Sequence, residues 1–187
     1  MRTPQLRSWM GKLLRILLLP LDRILAPDCT GHVFPSADLA VRMSFIGRPP
    51  ELPPIPSRLR ITRMSRKDFR PWFRLMYSSG LVRSFCLDGY WRFLRAPQFS
   101  RCPTYLAWEG DQLLASASSW ETVQDGQTVP LVHLVAVDPT ARRNGLGRYL
   151  TILVLSELRK RFPNDEAIWL TAGGKPAKEL YERLGFN

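Results

Sequence analysis

The chain has 187 residues, enough for one domain with an extension, and its hydrophobic content of 45% excludes a wholly disordered protein because it can fill a core. Its 27 basic residues outnumber its 16 acidic ones, so the net charge of +11 favours an anionic partner: a nucleotide cofactor, a nucleic acid or an acidic lipid surface. The three cysteines, Cys29, Cys86 and Cys102, are widely spaced without a CxxC pair, which favours a reduced, cytoplasmic setting over a disulfide framework or a zinc site.

Residues 1–56 are predicted to form an N-terminal extension. Apolar residues from Leu6 to Ile24 recur at helical spacing, with mostly basic residues on the other side, which predicts an amphipathic helix. That helix either docks on its own domain or makes peripheral contact with a membrane surface, since no apolar stretch is long enough to span one. Alternating residues predict a strand at 39–46, and five prolines within 48–56 predict a stiff linker that ends at a domain boundary.

Residues 57–187 have the pattern of a compact α/β domain. The predicted elements are a strand at 58–64, a helix capped by Ser65 and Asp68, a second helix within 88–97, two strands joined by a turn at Gly110-Asp111, a strand at 129–137, a helix at 145–161, a strand at 167–172 and a helix at 176–184. This order predicts an α/β (α+β) fold with a mixed, mostly antiparallel sheet flanked by helices.

The sequence ARRNGLGRYL, residues 141–150, lies where a predicted strand turns into a helix. Gly145 and Gly147 let the backbone approach a ligand closely, and the free amides at the start of the helix favour an anion. Three flanking arginines add full positive charges that can engage phosphate oxygens. A dinucleotide-binding loop would need a third glycine where Leu150 stands, and a P-loop would need Gly-Lys-Ser/Thr, so neither is indicated. An ordinary glycine-rich turn remains the alternative.

In its context, VDPTARRNGLGRYL resembles the acetyl-coenzyme A loop of the GNAT superfamily of N-acetyltransferases, whose pattern Arg/Gln-x-x-Gly-x-Gly/Ala is met at three positions. AKELYERLGF, residues 177–186, resembles the later A-x-x-L-Y-x-x-x-G-F signature of that family. The resemblance implies a GNAT-like fold and acetyl-CoA, or another acyl-CoA, as the acyl-donor substrate, with no metal. It also implies that the loop binds the pyrophosphate and that the preceding strand pairs with the pantetheine arm. The residues concerned are Arg142, Arg143, Asn144, Gly145, Leu146, Gly147 and Arg148 in the loop, and Val135 and Val137 in the strand.

Acyl transfer from a thioester to an amine requires a base for the amine proton, donors for the oxyanion and an acid for the departing thiolate. The resemblance implies that Tyr181, on the last helix, is the acid; simple packing of its ring is the alternative. His133 is the candidate base, because it stands on the strand leading to the loop and histidine ordinarily titrates at about pH 6.5. HLVAVDP also resembles the corresponding strand of arylalkylamine N-acetyltransferases. A hydrogen-bonded core histidine is the alternative, and Glu121 at the end of the preceding strand is a second candidate base.

Two departures from the family pattern concern the end of the chain. Gly174 stands where many relatives have an asparagine, and the sequence stops at Asn187, where the family continues into two further strands. Without them the strand at 167–172 would present an unpaired edge, which promotes association. One hypothesis is that the predicted strand at 39–46 fills this edge, either within the same chain or across a homodimer. The alternative is a truncated chain.

The sequence therefore predicts an acyl-CoA-dependent N-acyltransferase that moves an acetyl or longer acyl group to a primary amine by direct attack in a ternary complex. A catalytically weak member that binds acyl-CoA or a protein partner without turnover is the alternative. Nucleic-acid binding is not predicted, because the basic residues are dispersed and no RNA or DNA motif is present. The acceptor amine, on a small molecule, a peptide or a protein, is not specified. Aromatic residues within 77–94 indicate an apolar amine or a longer acyl chain, and core packing explains them equally well.

Overall fold

Six strands form one sheet in the computed structural model, which describes residues 41–81 and 95–187. The predicted amphipathic helix at 6–24, with its membrane contact, and most of the predicted helix at 88–97 lie outside these residues. The strands are β1 (Val41–Phe45), β2 (Leu59–Arg63), β3 (Thr104–Glu109), β4 (Gln112–Gln124), β5 (Gln127–Val137) and β6 (Ile168–Ala172). The helices are α1 (Phe69–Ser78), α2 (Pro97–Arg101), α3 (Leu146–Arg159) and α4 (Lys175–Glu182). None of these helices is both long and apolar enough to cross a membrane.

The sheet is mixed, as predicted. Its strands lie in the order β1-β6-β5-β4-β3-β2, and every neighbouring pair is antiparallel except β5 and β6. The parallel pair follows from the connection between the two strands, because helix α3 carries the chain back across the sheet before β6 begins. The two-residue turn at Gly110-Asp111 joins β3 to β4, where the sequence predicts it.

The two faces of the sheet are covered by different helices, because side chains alternate along each strand. On one face, Leu150, Leu155 and Leu158 of α3 are fully buried in a cluster that includes Ala117 and Val132 of the sheet. This face also receives α4. On the other face, α1 buries its aromatic side in a second cluster with strand residues such as Leu106 and Trp108.

Helix α1 begins and docks through specific hydrogen bonds. The carboxylate Oδ2 of Asp68 accepts bonds from the backbone amide of Ser65 at 2.8 Å and from its hydroxyl at 2.6 Å, which fixes the short 3₁₀ turn that leads into the helix. On the buried side, the indole nitrogen of Trp72 donates to the hydroxyl of Ser116 on β4 at 3.0 Å. The side chain of Ser116 therefore marks the face that α1 covers.

Strand β1 fills the edge beside β6 from within the same chain. The two strands pair antiparallel from Val41 opposite Ala172 to Phe45 opposite Ile168. The guanidinium of Arg159 on α3 donates to the backbone carbonyls of Phe45 at 3.1 Å and Gly47 at 2.9 Å, so the end of β1 is anchored to the domain. The hypothesis of sheet completion by the predicted strand at 39–46 is confirmed in its single-chain form. The boundary after residue 56 stays a prediction.

Candidate functional site

The sheet opens between β5 and β6, and this gap organises the site. Within the described residues the two strands share one bridging pair, Leu131 with Trp169. Beyond that pair, β6 offers no ladder partner to the C-terminal half of β5, which contains Val135 and Val137. An extended ligand can therefore lie beside these two residues and pair with their backbone groups.

A bulge in β5 lies at the point where the strands separate. The pairing of β4 with β5 shifts between Ser116, opposite Ala136, and Ser118, opposite His133, so β5 holds one extra residue here. Leu134 adopts φ +49°, the left-handed region, where a bulky non-glycine residue carries about 1–3 kcal/mol of strain. Such strain concentrates at functional sites. The sequence contains no signal for this bulge, because both faces of the strand VPLVHLVAV carry mostly apolar side chains.

The loop from Asp138 to Arg148, hereafter the glycine loop, is fixed at its start by local hydrogen bonds. Oδ1 of Asp138 accepts from the amide of Thr140 at 3.0 Å and from its hydroxyl at 2.6 Å. These bonds, the hydroxyl first, hold the pKa of the Asp138 carboxyl below its usual value. Arg142 folds back: its guanidinium donates to the carbonyls of Val137 at 3.4 Å and Ser79 at 3.1 Å. Arg142 thus ties the loop to the end of α1.

The rest of the glycine loop is shaped to hold an anion. Arg143 and Gly145 both have left-handed backbone, at φ +65° and +77°, and helix α3 begins immediately afterwards at Leu146. The side chains of Arg143, Asn144 and Arg148 are exposed, and the first amides of α3 have no intrahelical partner. Amide donors, the helix dipole and two exposed cations therefore lie together at one helix end, as a diphosphate requires.

Gly147 lets the start of α3 approach α4 and β5 closely. A Cβ atom at this position would lie 3.4 Å from Cδ2 of Leu180 and 3.5 Å from Cγ2 of Val137. A side chain larger than that of alanine would meet these two side chains and displace the helix start from β5. The exposed cations and free amides of the glycine loop therefore fit a coenzyme A diphosphate, and the gap between β5 and β6 fits its extended arm.

Tyr181 lies on α4 in the core on the same face as α3. It is 6% exposed, and its ring centroid is 5.7 Å from that of Phe186. Burial raises the pKa of the Tyr181 hydroxyl well above its usual value, so the group is protonated at neutral pH and can act as a donor. Gly174, at the start of α4, has φ +142° and ψ 171°, a conformation restricted to glycine. The backbone conformation therefore accounts for the glycine at this position.

A cavity of about 350 Å³ lies at the gap on the other face of the sheet, and we call it the β5–β6 cavity. His133 lines it, and the His133 ring centroid lies 5.8 Å from that of Trp120 on β4. The remaining lining residues described by the structure are Arg42, Leu81, Gln124, Leu131, Val132, Leu134, Trp169, Leu170 and Thr171. Leu81 belongs to the segment 77–94, whose aromatic residues indicate an apolar amine or a longer acyl chain.

Glu121, the second candidate base, is placed elsewhere. It alternates with Trp120 along β4 and so projects to the opposite face of the sheet. There its carboxylate forms an ion pair with the guanidinium of Arg161, which also approaches the sulfur of Cys102 at 3.9 Å. The structure does not bring Glu121 together with His133, and the sequence could not show this because Arg161 is remote along the chain.

Comparisons with known proteins concern the family and the fold of the chain. The family model described as "Acetyltransferase (GNAT) family" matches residues 64–186. A mycothiol acetyltransferase of Geodermatophilus obscurus is 35% identical over 96 residues, which cover 49% of this chain and 30% of that protein. The aligned region thus spans less than a third of this relative.

Solved structures show the same fold at low sequence identity. A GCN5-related N-acetyltransferase from Kribbella flavida superposes with a TM-score of 0.53 and 18% identity, covering 80% of this chain and 56% of that one. A predicted acetyltransferase from Clostridium acetobutylicum, solved with acetyl-CoA, gives a TM-score of 0.54 and 15% identity over 69% of this chain and 90% of that one. At these identities the structural likeness establishes the fold alone.

Proposed function

The chain belongs to the GNAT family of acetyltransferases, and on that premise we propose that it transfers an acetyl group from coenzyme A to a primary amine by direct attack in a ternary complex. The observation that carries the proposal is the continuity of the glycine loop with the gap between β5 and β6. The loop suits a diphosphate and directly follows Val137, the β5 residue at the open end of the gap, and the cavity that contains His133 lies at the same gap on the other face. A longer acyl group is the second donor that this gap can take.

We assign the binding of the donor to two parts of the chain. The amides from Asn144 to Arg148 face the diphosphate, supported by the exposed charges of Arg143 and Arg148. The backbone of Val135 and Val137 pairs with the pantetheine arm. Arg142 acts on this site indirectly, because its guanidinium is bonded to two backbone carbonyls and holds the loop in place. When bound, the donor supplies a thioester carbonyl to the gap.

Proton movement is divided between the two faces of the sheet. His133 takes a proton from the acceptor ammonium, directly or through a water, and the free amine then attacks the carbonyl carbon. The C–N bond forms as the C–S bond breaks, and the second proton of the attacking nitrogen passes to the departing sulfur, which accepts a hydrogen bond from Tyr181 as it leaves. Because the pKa of Tyr181 is raised by burial, the hydroxyl stabilises the thiolate as a donor while keeping most of its own proton.

Glu121 has a structural role in this proposal. Its ion pair with Arg161 occupies the carboxylate on the face away from the cavity, so His133 is the preferred base. A member that binds acyl-CoA without turnover is the alternative function. The homodimer and the membrane contact of residues 6–24 are separate predictions that the catalytic proposal does not need.

A thiol-release assay across a panel of amines tests the function. The proposal expects release of coenzyme A thiol only when an amine is present, with one acetylated amine, identified by mass spectrometry, for each thiol. A His133→Gln variant should lose most of this turnover while it binds acetyl-CoA as the wild type does. Tight binding of acetyl-CoA without amine-dependent release would favour the binding module instead.

A further inference from the structure

Arg42 brings a positive charge to the β5–β6 cavity from outside the residues that the family model matches. It lies on β1 opposite Thr171 of β6, and its guanidinium carbon stands 4.3 Å from the centroid of the Trp169 ring. Its Nη2 also donates to Oε1 of Gln124 at 3.2 Å. The stacking on Trp169 and the bond to Gln124 hold the guanidinium at the wall of the cavity.

The charge of Arg42 is not neutralised by the part of the protein that the structure describes. No described carboxylate forms an ion pair with it, whereas Arg58 and Arg161 on the same sheet domain each pair with a glutamate. The described cavity lining contains no aspartate or glutamate and no other lysine or arginine. A guanidinium has five N–H donors, and the bond to Gln124 uses one of them. The remaining donors suit a planar, two-oxygen anion.

Arg42 and His133 serve one cavity from two strands. Leu131 of β5 pairs with Trp169 of β6, and His133 follows Leu131 at the next position on the same face. An acceptor whose nitrogen reaches His133 therefore extends toward Trp169 and the guanidinium stacked on it. The volume of about 350 Å³ lies at the lower end of small-molecule pockets, which suits a small acceptor.

We propose that the acceptor is a small amine that also carries a carboxylate, and that Arg42 is the residue that selects it. This inference rests on the proposed function, because the cavity must be the acceptor site. The carboxylate pairs with the edge of the guanidinium while the amine lies at His133. Strand β1 then contributes substrate specificity in addition to completing the sheet.

The test compares matched acceptors that differ only in the carboxylate: phenylalanine, phenylalanine amide and phenethylamine, together with lysine, lysine amide and cadaverine. Charge-assisted hydrogen bonds of this kind correspond to a preference of roughly 10- to 100-fold in kcat/KM for the amino acids. Arg42→Gln should reduce the preference to about one, and Arg42→Lys should restore part of it because the charge returns without the planar fork.

Arg60→Gln is the matched control. Arg60 lies on β2 at the other edge of the sheet, where its guanidinium carbon stacks 5.5 Å from the centroid of the Trp108 ring. If Arg42 only stabilised the sheet by such stacking, both variants would lower thermal stability and leave the preference unchanged. The inference expects Arg60→Gln to keep the full preference for the amino acids.

Equilibrium binding of the same acceptors, measured by calorimetry with saturating coenzyme A, separates this inference from the proposed function. A carboxylate preference in binding that Arg42→Gln removes supports the inference, even if no acceptor is turned over. Turnover of amines and amino acids at equal efficiency would overturn the inference and leave the proposed function standing. Failure of every carboxylated member to bind would also overturn it.

Discussion

The glycine loop and the β5–β6 cavity lie at the same gap in the sheet, and the chain builds them in different ways. The loop is one continuous segment whose shape follows from Asp138, Arg143 and Gly145 and from the helix that begins after it. The cavity draws on residues from four strands that are distant in sequence, among them Arg42 and His133. A loop of this kind carries a local pattern that identifies its ligand, whereas a cavity assembled from separate strands does not.

Of the substitutions considered, Gly145→Glu should have the largest effect, a loss of acetyl-CoA binding by the glycine loop. The substitution strains a backbone at φ +77° and sets a carboxylate against the diphosphate, so affinity for acetyl-CoA should fall by roughly 1,000-fold, about 4 kcal/mol, in calorimetry. Gly126→Glu is the matched control, because Gly126 has φ +79° and open space around it in the turn at the far end of β5. Equal loss of affinity in both variants would assign the effect to folding.

Tyr181→Phe should lower the rate of acyl transfer without weakening the binding of acetyl-CoA. Removing a donor that acts on the leaving thiolate should lower kcat by roughly 100-fold while acetyl-CoA affinity is retained. Because burial raises the pKa of Tyr181, the hydroxyl should stay protonated up to about pH 10, and kcat of the wild type should not fall through its deprotonation below that pH. Tyr105→Phe provides the control, since the Tyr105 hydroxyl donates to Glu157 at 3.2 Å, away from the gap. An unchanged kcat in Tyr181→Phe would leave the ring with a packing role.

Arg159→Met should weaken binding of the acceptor in the β5–β6 cavity and leave binding of acetyl-CoA at the glycine loop nearly unchanged. The variant removes the guanidinium that anchors β1 through the carbonyls of Phe45 and Gly47, at a cost of about 2 kcal/mol in the free energy of unfolding. Because β1 carries Arg42, the KM for the acceptor should rise by roughly tenfold, whereas the dissociation constant of acetyl-CoA should change by less than about twofold. Equal weakening of both substrates would contradict the division between the loop and the cavity.

Asp138→Ala should give the smallest effect, about 1 kcal/mol of stability at pH 7, because it removes the bonds that cap the start of the loop. The pKa of Asp138 is lowered in the folded state, so its contribution is present above the unfolded pKa of about 4 and is lost as the pH falls through the folded pKa. Urea unfolding between pH 7 and pH 3 should show the difference between wild type and variant shrinking. A constant difference would argue against this ionised cap.

The elements and the loop could be predicted because their signals are local. Strand alternation, turn residues and the spacing of Gly145 and Gly147 are all contained within short windows. The strand at 39–46 could be predicted for the same reason, whereas its place beside β6 was one of two hypotheses and only the structure shows the pairing.

Other features depended on contacts between distant residues. The sequence predicts Arg142 as a phosphate ligand, whereas in the structure its guanidinium donates a hydrogen bond to the carbonyl of Ser79 at the end of α1. The sequence offers Glu121 as a candidate base, whereas in the structure it forms an ion pair with Arg161 on the face of the sheet opposite the β5–β6 cavity. The bulge at Leu134 has no residue signature, because the register between β4 and β5 sets it and not a local propensity.

Hydrogen exchange at single-residue resolution, with and without acetyl-CoA, tests most directly whether the glycine loop holds the donor. The amides from Asn144 to Arg148 have no intrahelical partners at the start of α3 and should exchange rapidly in the free protein. Saturating acetyl-CoA should slow exchange there and at Val135 and Val137, and leave the turn at Gly126 unchanged. Rapid exchange from Asn144 to Arg148 in the acetyl-CoA complex would contradict the account.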